Sequence, residues 1–292
     1  MKYPAIKSGW VRSMIYMVSM ILVLIVFGIP AFALASALSE KPLHALDLYT
    51  ENIYILIVYQ LFILIGITGL TIIFRKYIDR KKLVTLGFGK IRRNKDLILG
   101  LLLGPAIIGT GFIILYFSGN LEIHDIRPDY SHLGGALILC ILISWIEEIS
   151  FRGYILNNML ESFHPYTGLF VSSLLFAAFH MFNPGMAVIP FVNLFLAGIL
   201  LGVVFIYTKT IWYALSLHFS WNFFLGPVFG FEVSGIEMGG FIRQKPTGDD
   251  LVTGGNFGFE GSLLCSLLII LCIFALNRYY NNRKINALKD KT

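Results

Sequence analysis

The chain has 292 residues, of which 57% are hydrophobic and only 14% are charged, and its mean hydropathy is +0.75. Soluble domains carry about 25% charged residues, so this composition excludes an ordinary soluble protein and indicates one membrane domain over residues 1–292. The net charge of +6 is expected to act on anionic lipid headgroups. We therefore expect membrane lipids as partners, and no nucleic acid.

Apolar runs of about 20 residues, the length that crosses a bilayer as a helix, predict an all-α polytopic bundle of about eight transmembrane helices. The first run is longer than the roughly 7–15 apolar residues of a signal sequence, so we expect an uncleaved anchor. The predicted spans are residues 14–36, 53–74, 97–118, 133–157, 167–183, 187–208, 210–230 and 261–277.

Basic residues are distributed unevenly between these spans. Most of the 23 Lys and Arg residues lie in the N-terminal segment, in residues 75–96, in the C-terminal tail or at Lys209. The positive-inside rule then places those segments, and both termini, in the cytoplasm of a multi-pass protein of the cell membrane. The glycine-rich segment 231–260 would be an external loop, either a lid over a site or, more simply, a flexible connector.

Three strongly ionisable side chains lie together inside the predicted fourth span: Glu147, Glu148 and Arg152. A charge at the centre of a bilayer costs roughly 3 kcal/mol on insertion scales, so such a cluster indicates function. On a helix, Glu148 and Arg152 are four residues apart and share a face, which predicts an ion pair. Glu147 is turned by about 100° from Glu148, which leaves it free to react.

Two later spans carry one histidine each. Phe176 and His180 share a helix face at a spacing of four residues, and so do His218 and Asn222. Taken singly, an intramembrane histidine or asparagine often only bridges two helices, by a hydrogen bond worth ~1 kcal/mol. Together with the carboxylates, these side chains indicate acid–base chemistry inside the bilayer.

Three short motifs, in this order and on separate spans, resemble the CAAX-protease and bacteriocin-processing family of membrane proteins (CPBP, also called Abi). The resemblance covers roughly residues 83–230, which we take as the catalytic core. The motifs EExxxR, FxxxH and HxxxN are matched in turn by Glu147, Glu148, Arg152, Phe176, His180, His218 and Asn222.

This resemblance implies an intramembrane, glutamate-dependent endopeptidase similar to the Ras-converting CAAX proteases. Its substrate would be a membrane-associated or lipidated peptide or protein. By the same resemblance, Glu147 and His180 activate water, while His218 and Asn222 stabilise the oxyanion. The supporting residues would be Glu148, Arg152 and Phe176.

Two alternatives stay open. One Glu and two His also form a ligand set of catalytic zinc sites, so Glu147, His180 and His218 could bind zinc. We favour a site without metal or other cofactor, because ligand types alone do not fix a zinc geometry. The second alternative is a bacteriocin self-immunity, scaffold or transport protein without protease activity, because polar clusters also mark substrate paths through membranes.

Overall fold

The computed structural model describes residues 3–39, 53–89 and 94–289, with side chains described to residue 283. The basic residues Lys2, Lys41, Lys90, Arg92, Arg93 and Lys291 lie outside the described residues. The elements in chain order are α1 (Gly9–Leu38), α2 (Ile53–Ile73), α3 (Asn94–Phe117), β1 (Leu121–Ile126), α4 (Tyr130–Glu148), α5 (Asn157–Met159), α6 (Pro165–Phe179), α7 (Val188–Val203), α8 (Phe205–Thr208), α9 (Trp212–Phe223), β2 (Ile242–Pro246), α10 (Asp250–Thr253) and α11 (Leu263–Lys289).

Long apolar helices dominate the fold, and π-helical turns continue three of them: Phe74–Ile78 follows α2, Ile149–Leu156 follows α4, and Phe224–Val228 follows α9. Within the described ranges, six helices are long and apolar enough to cross a membrane. The predicted polytopic helical bundle is therefore confirmed.

The predicted count of eight spans is not confirmed. The fifth predicted span forms α6, which has only 15 residues, and the seventh forms α9, which has 12 residues before its π-helical turn. At 1.5 Å per residue, a helix of the length of α6 extends over about 22 Å. The hydrocarbon core of a bilayer is about 30 Å thick, so α6 does not span it by length alone.

A two-stranded sheet adds to the predicted all-α fold. β1 pairs antiparallel with β2, from Leu121 opposite Pro246 to Ile126 opposite Ile242. Apolar and polar residues alternate from Leu121 to His124, a pattern typical of strands, and the alternation breaks at Asp125, where the register shifts. The segment 231–260 thus contains a strand and the short helix α10. It is also packed against the bundle, because its residues Phe231, Phe257 and Phe259 belong to the hydrophobic core.

Close packing of α3 on α9 orients the polar face of α9. A Cβ atom at Gly100 would lie 2.1 Å from Ser216 Oγ, and one at Gly104 would lie 2.4 Å from Ser220 Oγ. The missing side chains let the two helices approach, and Ser220 Oγ donates to the Gly100 carbonyl at 3.0 Å. His218 is two residues from both serines and therefore projects from the opposite face, toward the bundle interior.

A second buried polar cluster joins the N-terminal end of α1 to the segments after α2 and α4. Asp79 accepts hydrogen bonds from Arg12 at 2.6 Å, from Arg75 at 2.8 Å and from Tyr154 at 3.1 Å. The predicted span boundaries at residues 14 and 74 left these residues outside the bundle, so the sequence did not indicate this cluster. The helices extend further and take these charges into the bundle, where they are paired.

Candidate active site

The two adjacent glutamates stand at the C-terminal end of α4, where the α-helix becomes π-helical. Such turns occur often at functional sites. The structure separates the two carboxylates as the helical spacing predicts. Glu148 is fully buried, whereas the side chain of Glu147 is 19% exposed and faces a cavity.

The carboxylate of Glu148 joins three helical segments. Its Oε1 atom accepts a hydrogen bond from Arg152 Nη1 at 2.7 Å, so the predicted ion pair is present. The same oxygen lies 2.8 Å from His218 Nδ1 on α9. Arg152 Nη2 in turn donates to the Gly198 carbonyl on α7 at 3.1 Å. Helical spacing revealed the first of these contacts, and the two contacts to other helices appear only in the structure.

His180 stands at the C-terminal cap of α6, where the helix tightens. Its backbone N–H donates to the Ala177 carbonyl at 3.1 Å, one residue nearer than in an α-helix, which leaves the Phe176 carbonyl for the imidazole. His180 Nδ1 lies 2.8 Å from that carbonyl oxygen. A carbonyl only accepts, so we assign the hydrogen to Nδ1, and Nε2 of the neutral ring carries a lone pair.

The ring of Phe176 contacts the side chains of both Arg152 and His180. The guanidinium carbon of Arg152 lies 4.6 Å from the ring centroid, and the imidazole of His180 lies 4.7 Å from it. An arginine over an aromatic face is attracted by the ring quadrupole. Phe176 is 3% exposed and borders the same cavity. It therefore fixes the Arg152 head and the His180 ring from one side.

Glu147 and the two histidines converge from α4, the end of α6 and α9. Glu147 Oε2 lies 3.6 Å from His180 Nε2 and 3.9 Å from His218 Nε2. Both separations exceed a direct hydrogen bond, and this oxygen has no hydrogen-bond partner in the described part of the chain. The arrangement leaves a basic oxygen facing two imidazole nitrogens.

One cavity of about 340 Å³ connects these groups. It is lined by Glu147, His180, His218 and Asn222, so the structure brings all four predicted catalytic residues together. The rest of the cavity is largely apolar and extends between α1, α2 and α4, where its lining includes Met20, Ile63, Ile67, Leu139 and Ile143. The cavity thus combines a polar end with an apolar limb.

Glu260 also lines this cavity, although no motif in the sequence marks it. It is only 6% exposed, and its carboxylate accepts hydrogen bonds from Trp221 Nε1 at 2.7 Å and from the backbone N–H of Ser234 at 2.6 Å. Burial raises the pKa of the Glu260 carboxyl, and the bonds from Ser234 and Trp221 oppose that rise. Its only sequence signal was an acidic residue directly before an apolar span.

The three residues suggested as zinc ligands line the same cavity. Glu147, His180 and His218 have suitable atoms, and both Nε2 atoms point toward the carboxylate. Nevertheless, no group of three or more His, Cys, Asp or Glu side chains within residues 3–39, 53–89 and 94–283 is placed to hold a metal ion.

Comparison with known proteins gives one family match. Residues 130–224 match the model of the type II CAAX prenyl endopeptidase Rce1-like family, over about one third of the chain. Neither a curated protein nor a solved structure matches the chain. The matched segment runs from α4 through α9 and holds all three motifs, so the resemblance inferred from those motifs is confirmed.

The buried pair predicts a specific loss of stability. Glu148→Gln leaves Arg152 charged without its carboxylate, and breaking a buried pair costs about 3–5 kcal/mol. The midpoint of thermal unfolding in detergent should fall, and the double variant Glu148→Gln/Arg152→Met should recover part of the loss. Glu122→Gln on the exposed face of β1 is the control. If Glu148→Gln unfolds at the same midpoint as the unaltered chain, the assignment of Glu148 and Arg152 as a stabilising buried pair is contradicted.

Proposed function

We propose that this chain, which belongs to the CAAX-protease family, is an endopeptidase that uses Glu147 to hydrolyse a peptide bond inside the membrane. One observation carries the proposal. Glu147 Oε2 has no hydrogen-bond partner among the described residues and faces both His180 and His218 across a cavity that Asn222 also lines. A base, an acceptor and potential donors thus surround one space large enough for a peptide bond.

Water activation is assigned to Glu147 with His180. Glu147 Oε2 accepts one proton of a water molecule, while the lone pair on His180 Nε2 holds the other hydrogen and fixes the direction of attack. The water oxygen then adds to the carbonyl carbon of the scissile bond. The proton on Glu147 passes to the leaving nitrogen as the carbon–nitrogen bond breaks, which regenerates the base.

Oxyanion stabilisation is assigned to His218 and Asn222. His218 Nδ1 is held by Glu148 at 2.8 Å, so the Nε2–H of a protonated ring points into the cavity. The Asn222 amide is one helical turn further along α9 and supplies the second donor. A donor aimed at the developing oxyanion is worth about 2.7–4 kcal/mol in the transition state. Glu148 and Arg152 keep the His218 ring in that orientation.

The apolar limb supports a membrane-associated substrate. It borders the polar end of the cavity, so a peptide bond at Glu147 can be accommodated beside a hydrocarbon chain. Each buried methylene contributes about 0.8 kcal/mol, which favours lipidated peptides over unmodified ones. The proposed substrate class is therefore a membrane-associated or lipidated peptide or protein.

Glu147→Gln provides the direct test of the reaction. The amide keeps the shape of the side chain but cannot accept a proton, so turnover should fall by about 10²–10⁴-fold, the usual contribution of a general base. The measurement is the initial rate in proteoliposomes with internally quenched peptides, with and without a lipid on a C-terminal cysteine. Glu122→Gln is the control. Equal rates in Glu147→Gln and the unaltered chain refute Glu147 as the base, and no cleavage by either favours an immunity or scaffold role.

Metal dependence has a separate test. If water is activated by Glu147 and His180 alone, prolonged chelation should leave turnover unchanged, and elemental analysis of the purified protein should find no stoichiometric zinc. One zinc per chain, with activity lost on its removal and restored on its return, would replace this mechanism by the zinc alternative at the same residues.

We also place both termini and the basic segments in the cytoplasm, with α6 and α9 as short crossings that a locally thinned bilayer accommodates. The distribution of basic residues supports this topology. A reporter joined after Arg283 and one inserted at Asp249 should therefore lie on opposite sides of the membrane. Both reporters on one side would exclude the eight-span arrangement and indicate an even number of crossings between the two positions.

A further inference from the structure

A tight turn at residues 233–236 lies beside the candidate active site. Val233 and Ile236 exchange backbone hydrogen bonds of 2.9 and 3.0 Å. The central residues have positive φ angles, +50° at Ser234 and +81° at Gly235, as in the type I′ turns of hairpins. For a serine this left-handed conformation is strained, so surrounding contacts must hold it.

Glu260 supplies those contacts. Its Oε2 atom accepts hydrogen bonds from Ser234 N at 2.6 Å and from Ser234 Oγ at 3.2 Å. Its Oε1 atom accepts from Trp221 Nε1 at 2.7 Å, and Trp221 lies between His218 and Asn222 on α9. The Glu260 carboxylate therefore joins the tip of the turn to the helix that carries the proposed oxyanion donors.

The opposite side of the turn contacts the segment that follows His180. The Ser234 carbonyl accepts a hydrogen bond from Asn183 Nδ2 at 3.0 Å. A Cβ atom at Gly235 would lie 2.0 Å from the Pro184 carbonyl oxygen, so only glycine permits this backbone contact. The turn thus lies between the segment carrying His180 and the helix carrying His218.

We propose that Glu260 is a positioning residue, which sets the separation of the His180 and His218 rings on the two sides of Glu147 through the turn 233–236 and Trp221. The inference rests on the proposed function, because that function gives the ring separation its importance. The Glu147 carboxylate lies 3.6 and 3.9 Å from the two rings. A misplacement of about 1 Å in such an arrangement can cost on the order of 10²-fold in rate.

The test compares Glu260→Gln with Trp221→Phe in the full chain. In Glu260→Gln, the new amide NH₂ faces one of the two groups that donate to Glu260, Trp221 Nε1 or Ser234 N, and loses that bond. Trp221→Phe keeps an aromatic ring but removes the indole N–H. Each variant should lower kcat about tenfold, the loss expected for a hydrogen bond to a charged group, with a smaller change in KM. Because both remove the same connection, the double variant should lose little more than the more affected single variant.

The matched controls are Glu237→Gln and Trp212→Phe. Glu237 lies in the same segment but is exposed, and Trp212 is on α9 but donates to the Gly89 carbonyl instead. Both should retain the kcat of the unaltered chain. The substrate is whichever of the internally quenched peptides described above the unaltered chain cleaves fastest. Folded fraction is measured for every variant, so that a loss of kcat is separated from a loss of protein.

Hydrogen exchange supplies a measurement that does not depend on activity. Glu260→Gln should speed amide exchange in residues 181–186 and 233–236, while exchange in α1 and in β1 stays unchanged. Unchanged amide exchange in both segments overturns the proposal. A loss of kcat that only follows the loss of folded protein also overturns it. So does a double variant whose loss of kcat equals the product of the two single losses. If Glu147→Gln retains cleavage, the proposed function fails by itself, and the exchange result still decides the role of Glu260.

Discussion

The buried carboxylate of Glu148 is the group on which the rest of the site depends. A lone charge in the interior of a membrane protein is costly, and Glu148 is fully buried. Its Oε1 atom meets both the Arg152 guanidinium and the His218 imidazole. That double contact compensates the charge and at the same time fixes two side chains from different segments. Stability and alignment of the site therefore come from one interaction.

Neutralising Glu148 leaves its neighbour available for chemistry. Adjacent residues on a helix point about 100° apart, so Glu147 faces the cavity while Glu148 faces the buried guanidinium. Arg152 is directed away from Glu147 by three contacts, with Glu148, with the Gly198 carbonyl and with the Phe176 ring. The proposed role of Glu147 as a base requires a free oxygen, and its Oε2 atom has no hydrogen-bond partner in the described part of the chain.

The sequence predicted those features that depend on spacing along one helix. The pair Glu148–Arg152 follows from a separation of four residues, and the bundle follows from apolar runs. Contacts between segments distant in sequence had no such signal: the bond of Glu148 to His218 joins residues 70 positions apart. Glu260 was missed for a related reason, since its acceptor role depends on the turn at Ser234 and on Trp221. Span boundaries drawn from hydropathy likewise hid the Asp79 cluster.

The short length of α6 explains why His180 lies inside the bundle. A helix that ends after 15 residues releases its last carbonyl groups inside the bundle, and His180 at its cap uses one of them to orient its ring. The chain that follows must satisfy its own backbone there, because lipid cannot. In that chain the Asn183 side chain donates to the Ser234 carbonyl of the turn, which Glu260 holds against α9. The same early helix end therefore creates the polar end of the cavity and the need for a folded segment to close it.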